Sequence, residues 1–589
     1  MNSTISRRNL LAGVASCVAL QWQLPKNLQA QTRRNLQDEP IISPQARTLP
    51  VLAEHGMVVS QEEKASRIGV EIMRRGGNAI DAAIATGFAL AVTLPRAGNL
   101  GGGGFMIIHL AREKKSIAID YREMAGALTT PSVFLDGQGN FEPEKSQSSG
   151  LGVGVPGTVA GFALAHEKYG SGKFSLADLM APAVALASDG IEVDADLADS
   201  LPYAAGRLGR YPSSKAIFLH ADGSALKRGE RLVQTDLAAT LATIAREGPR
   251  GFYEGEVARK ITAAVNAAGG RMTLEDMKSY KALERPTVRG TYRGREIVSM
   301  PPPSSGGVHV IQILNMLEGF DLGRLGHNSA DALHLITEAM KLAFADRAAH
   351  LGDPDFVRVP MAGLVSKRYA ETLRAQISQT RARPSSEISP GKPQPYESDQ
   401  TTHYSVVDSQ GNAVANTYTL NFSYGLGLVA AGTGVLLNNE LDDFAARDNA
   451  PNAYGLLGGE ANAPGPRKRP LSSMSPTLVF SDGELEIVTG SPGGSRIISI
   501  AFQIILNIVD FGLNAAEATE APRIHHQWMP DQIDFERGLS IDTLRLLEAR
   551  GHSLRPTRAF GSAQTIHRTK GVLMGAADSR QRGAGAVGY

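Results

Sequence analysis

The chain has one cysteine, Cys17, in 589 residues. That count excludes an intramolecular disulfide and any metal site built on several thiolates. An excess of charge of one sign is missing too. Lys and Arg number 60 against 59 Asp and Glu, for a formal net charge of +1, so nothing points to nucleic acid or an anionic surface. Long hydrophobic runs are also absent: the apolar stretch after Arg7 and Arg8 spans about 11 residues, too few to cross a bilayer as a stable helix. What remains is the composition of an ordinary soluble globular protein, with ample length for a large core.

The N-terminal SRRNLLAGVASCVAL reads as a twin-arginine export signal covering residues 1–30, with cleavage after Ala30. VASC also resembles a lipobox, which would lipidate Cys17. Either route takes the mature protein out of the cytoplasm, to the periplasm or beyond.

Around SQGN, the runs HYSVVD and AVANTYTL alternate apolar and polar residues, which predicts a β-hairpin closed by a Gly/Asn turn. Thr401 then stands at the start of the first strand. Thr417, Thr419 and Asn421 recur at spacing two and share a face of the second. Upstream, Ser60 and Glu63 predict a capping box opening a helix, Asn78 or Asp81 opens an alanine-rich second one, and Ser329 caps a third running to about His350. The glycines at 101–104 lack the GK[ST] ending of a phosphate loop and read as close backbone packing. SIAIDY predicts a strand with Arg122 at its end. Residues 380–400, rich in Pro, Ser and charge, predict a flexible linker.

Downstream, Glu440 and Asp443 stand three apart, Tyr454 lies in a Pro/Asn/Gly-rich loop from about 447 to 459, and Ser472 and Ser473 sit in RPLSSMSP. Taken singly, each is compatible with an ordinary surface or loop position. Gly493 and Gly494 precede a long apolar helix, where backbone N–H groups backed by the helix dipole suit a developing oxyanion. The adjacent His525 and His526 would point oppositely from one strand and make a poor chelate, so no metal is expected.

The window TTHYSVVD, GNAV, TYTLN and the Tyr424–Gly425 pair resembles the signature of the gamma-glutamyltranspeptidase (glutathione hydrolase) family, and likeness extends over residues 47–589. The resemblance implies an α+β, four-layer αββα sandwich of the N-terminal nucleophile hydrolase type. It implies self-cleavage between Gln400 and Thr401 into a large chain, 31–400, and a small catalytic chain, 401–589. A threonine hydroxyl needs an adjacent base, and the α-amine freed by that cut, titrating at about 7.7 to 8.0, is one.

Carried over position by position, the resemblance implies that Thr401, Thr419, Gly493 and Gly494 are catalytic. It implies that Arg122, Ser472 and Ser473 face the α-carboxylate of a γ-glutamyl group, that Glu440 and Asp443 bind its α-ammonium, and that Asn421 binds substrate. Glu and Gln both occur in the family at the position of Glu440. Tyr454 would belong to a lid. The implied partners are glutathione or other γ-glutamyl donors and amino-acid or dipeptide acceptors, with no cofactor, metal or nucleic acid. Two rival readings are a glutaryl (β-lactam side-chain) acylase on the same scaffold and a catalytically silent γ-glutamyl-binding protein.

Overall fold

Side-chain alternation along the strands sorts the interior into three slabs, and the slabs define the architecture. A computed structural model of the chain describes residues 40–391, 402–447 and 452–589. Residues 40–46 run through turns, and residues 47–589 make one compact unit. Two seven-stranded sheets lie at its centre. The first runs in the order Gly585–Gly588, Met57–Ser60, Thr402–Val407, Ala413–Thr419, Gly103–Leu110, Lys115–Tyr121, Leu283–Arg285. The second runs Val51–Ala53, Val572–Ala577, Gln564–Thr569, Glu484–Thr489, Thr477–Ser481, Arg295–Ser299, Val288–Tyr292. Every pairing in both is antiparallel.

In strand Gly103–Leu110, Phe105 and Ile107 enter the slab between the sheets, where the cluster also holds Val298, Leu478 and Val488 of the second sheet. Met106 and Ile108 point the other way, into a cluster shared with helices Glu63–Arg74 and Ala79–Thr93. The second sheet repeats the pattern: Ile297, Val479 and Ile487 face a third cluster with helices Gly306–Leu317, Ala330–His350 and Arg496–Val509. Helix, sheet, sheet, helix is the four-layer sandwich that the sequence resemblance implied. Burial of each such aliphatic or aromatic side chain contributes roughly 1.5–3 kcal/mol, so a charge at Ile107 would open both sheets.

Asn78 caps helix Ala79–Thr93 reciprocally with Asp81, and Ser329 caps Ala330–His350, both as the sequence predicts. The first helix differs. Its cap is Glu62, whose carboxylate accepts from the Ala65 amide at 3.1 Å. Ser60 is still held in the ladder opposite Gly585, so it is not available to turn into a cap. The glycines at 101–104 do serve close packing: a Cβ on Gly102 would lie 1.8 Å from the Thr419 carbonyl oxygen, and one on Gly101 2.0 Å from that of Leu436.

Residues 380–391, where the sequence predicts the start of a flexible linker, are docked. Ala382 and Ile388 are buried, the Ser385 amide donates to Asp531 at 2.7 Å, and Trp528 Nε1 donates to the Ser385 carbonyl at 3.0 Å. Two apolar side chains in a polar stretch are enough to dock it. Residues 392–400, like the export signal and Cys17, lie outside the described residues.

Candidate active site

Strands Thr402–Val407 and Ala413–Thr419 form the predicted hairpin at the middle of the first sheet. Asp408 organises its turn, accepting from the amides of Gln410 at 2.9 Å and Asn412 at 3.0 Å, and Gly411 adopts φ +83 there. The register sets His403 opposite Thr417. Thr417 Oγ1 lies 2.8 Å from His403 Nδ1, His403 Nε2 lies 3.0 Å from Ser405 Oγ, and Ser405 Oγ donates to the Gln564 carbonyl at 2.9 Å. The last contact orders the protons. With Ser405 committed to Gln564, His403 donates from Nε2 and accepts from Thr417 at Nδ1. Burial pushes its pKa down to about 3, so the imidazole is a neutral strut with no lone pair left for another proton. Gln400 and Thr401 lie outside the described residues.

Arg122 follows strand Lys115–Tyr121 and is completely buried. Its Nε donates to the Pro470 carbonyl at 2.9 Å and Nη2 to that of Leu471 at 3.1 Å. The same guanidinium meets Glu440 Oε1 at 2.5 Å and Asp443 Oδ2 at 2.7 Å. The implied arrangement, with Arg122 facing an anion and the two acids facing a cation, is thus replaced in the chain alone by mutual pairing. The reason is electrostatic: each buried charge costs several kcal/mol unless compensated. Burial alone would lower the Arg122 pKa, but Glu440 and Asp443 outweigh it and hold the charge in place.

Nothing in the sequence pattern singles out Glu123, yet it is the fourth member of this cluster. Its carboxylate lies 3.8 Å from Arg122 Nη1, and Glu440 is its electrostatic neighbour across the same guanidinium. Three carboxyls around one buried guanidinium are not all ionised. Burial drives Glu123 up to about 7 against the pull of Arg122, and raises Glu440 well above the usual carboxylate range. Both Glu123 oxygens and Glu440 Oε2 are buried without a hydrogen-bond donor among the described residues. Protonation of these carboxyls, favoured by their burial, turns an acceptor into a donor there.

The turn that carries the acids, Glu440–Asp443, is pinned by Asn438. Asn438 Oδ1 accepts from the amides of Glu440 at 3.0 Å and Gly154 at 2.9 Å, while its Nδ2 donates to the carbonyls of Gly101 and Gly154, both at 2.8 Å. Close approach at Gly101 is what admits this turn to the end of the hairpin sheet.

Thr419, Asn421 and Tyr454 come together. Thr419 Oγ1 accepts from the Asn421 amide at 2.8 Å, and the Tyr454 hydroxyl donates to Asn421 Oδ1 at 2.9 Å. Asn421 has φ +71, in the left-handed region that asparagine tolerates. The Tyr454 ring stands edge-on to Phe422, with centroids 5.8 Å apart. Residues 448–451 of the expected lid lie outside the described residues.

Ser472 and Ser473 are both buried. Ser472 Oγ accepts from the Met474 amide at 3.2 Å, whereas Ser473 Oγ has no hydrogen-bond partner among the described residues. Gly493 and Gly494 have φ +139 and +68, precede helix Arg496–Val509, and donate from neither amide to an acceptor among the described residues. Gly493 lines one cavity with Thr419 and Asn421.

The histidines at 525 and 526 diverge as expected. His525 Nδ1 meets Ser499 Oγ at 2.8 Å, and His526 pairs with Asp531 at 3.2 Å, an acidic neighbour that ligand spacing along the sequence does not reveal. A different ligand-type group, His334, Glu338 and His552, brings one atom of each within 4.8 Å. There Lys341 Nζ already sits 2.8 Å from Glu338 and supplies the compensating positive charge.

A four-layer αββα sandwich with strand Thr402–Val407 at the heart of one sheet is the architecture of an N-terminal nucleophile hydrolase. Among solved structures of like fold, a cephalosporin acylase from Bacillus halodurans superposes with a TM-score of 0.81 at 27% identity, covering 94% of this chain and 99% of that one. The gamma-glutamyltranspeptidase of Helicobacter pylori matches with a TM-score of 0.56 at 44% identity, over 60% of this chain and 97% of that one. The family model for gamma-glutamyltranspeptidase matches residues 65–588, and the chain belongs to that family. A glutathione hydrolase proenzyme of Escherichia coli strain K12 is 54% identical over 542 residues, covering 92% of this chain and 93% of that one.

Proposed function

We propose that the chain is a self-processing γ-glutamyl transferase and hydrolase acting on glutathione and related γ-glutamyl compounds. The Thr401 hydroxyl attacks the Gln400 carbonyl, the chain divides into residues 31–400 and 401–589, and the α-amine of Thr401 becomes free. That amine takes the hydroxyl proton as Thr401 attacks the γ-glutamyl amide. Thr419 steadies the nucleophile. The amides of Gly493 and Gly494 receive the oxyanion, a contribution of roughly two to three orders of magnitude in rate per donor. The departing amine carries off a proton, and water or the amine of an amino acid or dipeptide then takes the acyl group.

Head-group reading falls to the buried cluster. Arg122, whose planar fork suits a carboxylate, turns to the α-carboxylate with Ser472 and Ser473. Glu440 and Asp443, with Asn421 beside them, take the α-ammonium. The single observation that carries this reading is the set of buried charges of both signs at Arg122, Glu440 and Asp443, with the unpartnered Ser473 hydroxyl close by in sequence to the carbonyls that hold Arg122. A zwitterion satisfies such a set, whereas a glutaryl group brings no ammonium. Residues 1–30 serve export by the twin-arginine route, to the periplasm or outside the cell.

The test compares γ-glutamyl-p-nitroanilide with glutaryl-p-nitroanilide on protein checked by intact mass. Two fragments dividing at Thr401 are expected, with a preference for the γ-glutamyl substrate of at least about 30-fold, the lower end for losing one partner of a desolvated ion pair. Equal rates on both substrates would favour the acylase reading. A cleaved protein that turns over neither would leave only binding.

A further inference from the structure

A cavity of about 530 Å³ borders the site and is left unused by the reading above. Thr419, Asn421, Tyr454 and Gly493 line it on the side of the chemistry, and Arg96, Arg207 and Arg496 also face it. We propose that this cavity receives the amine partner of the reaction, either the dipeptide leaving glutathione or an acceptor dipeptide, and that Arg207 reads its terminal carboxylate. The inference rests on the γ-glutamyl reading of the site.

Enclosure gives the direction. Arg122, Glu440, Ser472 and Ser473 are all 0% exposed, so the glutamyl head group is shut in. The amide at the far end of the glutamyl chain, between Thr419 and Gly493, opens onto this cavity, which is where its amine is released. The acceptor approaches by the same way. Its amine nitrogen attacks the Thr401 ester carbon, the new C–N bond forms as the C–Oγ bond breaks, and one amine proton returns to Oγ.

Charge gives the ligand class. No carboxylate stands among the described residues lining the cavity. Two of its three guanidiniums are already compensated: Arg96 by Asp196 at 2.7 Å, and Arg496 by Asp534 at 2.7 Å with its plane over the Phe560 ring at 4.9 Å. Arg207 differs. Its Nη2 donates only to the Ser423 carbonyl, at 2.9 Å; the guanidinium lies 5.5 Å from the centre of the Phe422 ring; and Nε has no hydrogen-bond partner among the described residues.

Arg207 closes helix Ala195–Leu208, and a cation in a last turn complements the helix dipole. The dipole does not supply a full counter-charge for a half-buried guanidinium packed against Phe422, and its buried Nε is closed to a ligand. A carboxylate at the Nη1–Nη2 end of the guanidinium supplies that counter-charge. The neighbouring cavity of about 400 Å³, which shares Tyr454, Gly493 and Arg496, is less suited. Its Arg496 and Arg555 both already bond Asp534, at 2.7 Å.

The experiment measures acyl transfer from γ-glutamyl-p-nitroanilide to glycylglycine and to its C-terminal amide. Wild-type protein is expected to show a KM at least about tenfold lower for the free acid, the value of one charge-assisted contact. Arg207→Gln should bring the ratio near one, and Arg207→Lys, which keeps the charge without the fork, should retain part of it. Wild-type protein with no preference for the acid overturns the proposal without any variant, as does a processed Arg207→Gln that keeps the full preference. Failure of the wild type to release p-nitroaniline would overturn the parent reading and this inference with it. Release without acid preference overturns this inference alone.

Discussion

Replacing Glu123 with glutamine removes one ionisable group from the Arg122 cluster and leaves a side chain that always has hydrogens to donate toward Glu440. In the wild type, Glu123 rises from 4.5 to about 7 on folding because burial outweighs the attraction of Arg122. Below pH 4.5 the group is protonated in both states. Between pH 4.5 and 7 the folded protein holds a proton that the unfolded chain has lost, so stability falls as pH rises, and the fall is complete above pH 7. Each tenfold difference in proton affinity between the two states is worth about 1.4 kcal/mol, so the loss is about 3 kcal/mol. The glutamine variant does not undergo it. Its stability relative to wild type should therefore grow by about 3 kcal/mol from pH 4.5 to 8. Unfolding entropy of ~2.1 cal/mol/K per residue over about 540 residues converts this to a relative gain in Tm of about 3 °C. Scanning calorimetry of both proteins in the Thr401→Ala background, where opening leaves a single chain, reads the difference across that range. A Tm difference that stays flat with pH, or that grows toward acid, would refute the raised proton affinity of Glu123.

Thr401→Ala should leave a single uncleaved chain without activity, seen by intact mass; two normal fragments would assign the cut to another residue or to a protease. Asp443→Asn should weaken γ-glutamyl substrates by about 2 to 5 kcal/mol while sparing glutaryl analogues, and equal losses on both would remove Asp443 from the head-group site. Acylation of the processed enzyme by saturating γ-glutamyl substrate, whose ammonium occupies the acids, should rise with pH through the ionisation of the Thr401 amine. A His403 variant that still folds and self-cleaves should keep it, because His403 is buried, neutral and committed at both nitrogens; its disappearance would transfer the base role to the imidazole. Gly102→Ala should cost several kcal/mol or prevent folding, since its Cβ would meet the Thr419 carbonyl at 1.8 Å; chemical denaturation would register it, and wild-type stability would contradict the packing argument.

The hairpin was legible because period-two alternation and an Asn/Gly turn are local properties, and the glycine run was legible by what it lacked. Arg122 was legible as a strand-end residue. Its pairing with Glu440 and Asp443 was not, because more than three hundred positions of chain separate the partners and spacing carries no information about such a contact. Glu123 escaped notice for a related reason: beside a functional arginine, one more acid reads as a solvated neighbour until burial is known. The misplaced cap at Ser60 shows a ladder overriding a local preference. The docking of residues 380–391 shows two buried side chains overriding composition.

Strands from either side of the proposed cut alternate within both sheets. Thr402–Val407 lies between Met57–Ser60 and its own hairpin partner, and Glu484–Thr489 through Val572–Ala577 lie between Val51–Ala53 and Arg295–Ser299. A break before Thr401 therefore severs the covalent thread without freeing either piece. It also changes what unfolding means. An intact precursor that opens is still one molecule and refolds as one, but a processed protein that opens becomes two, which must find each other and reweave both sheets at whatever dilution surrounds them. Maturation of this kind is a ratchet: it exchanges reversibility for a nucleophile, and from then on the lifetime of the enzyme is set by the height of its unfolding barrier rather than by its equilibrium stability.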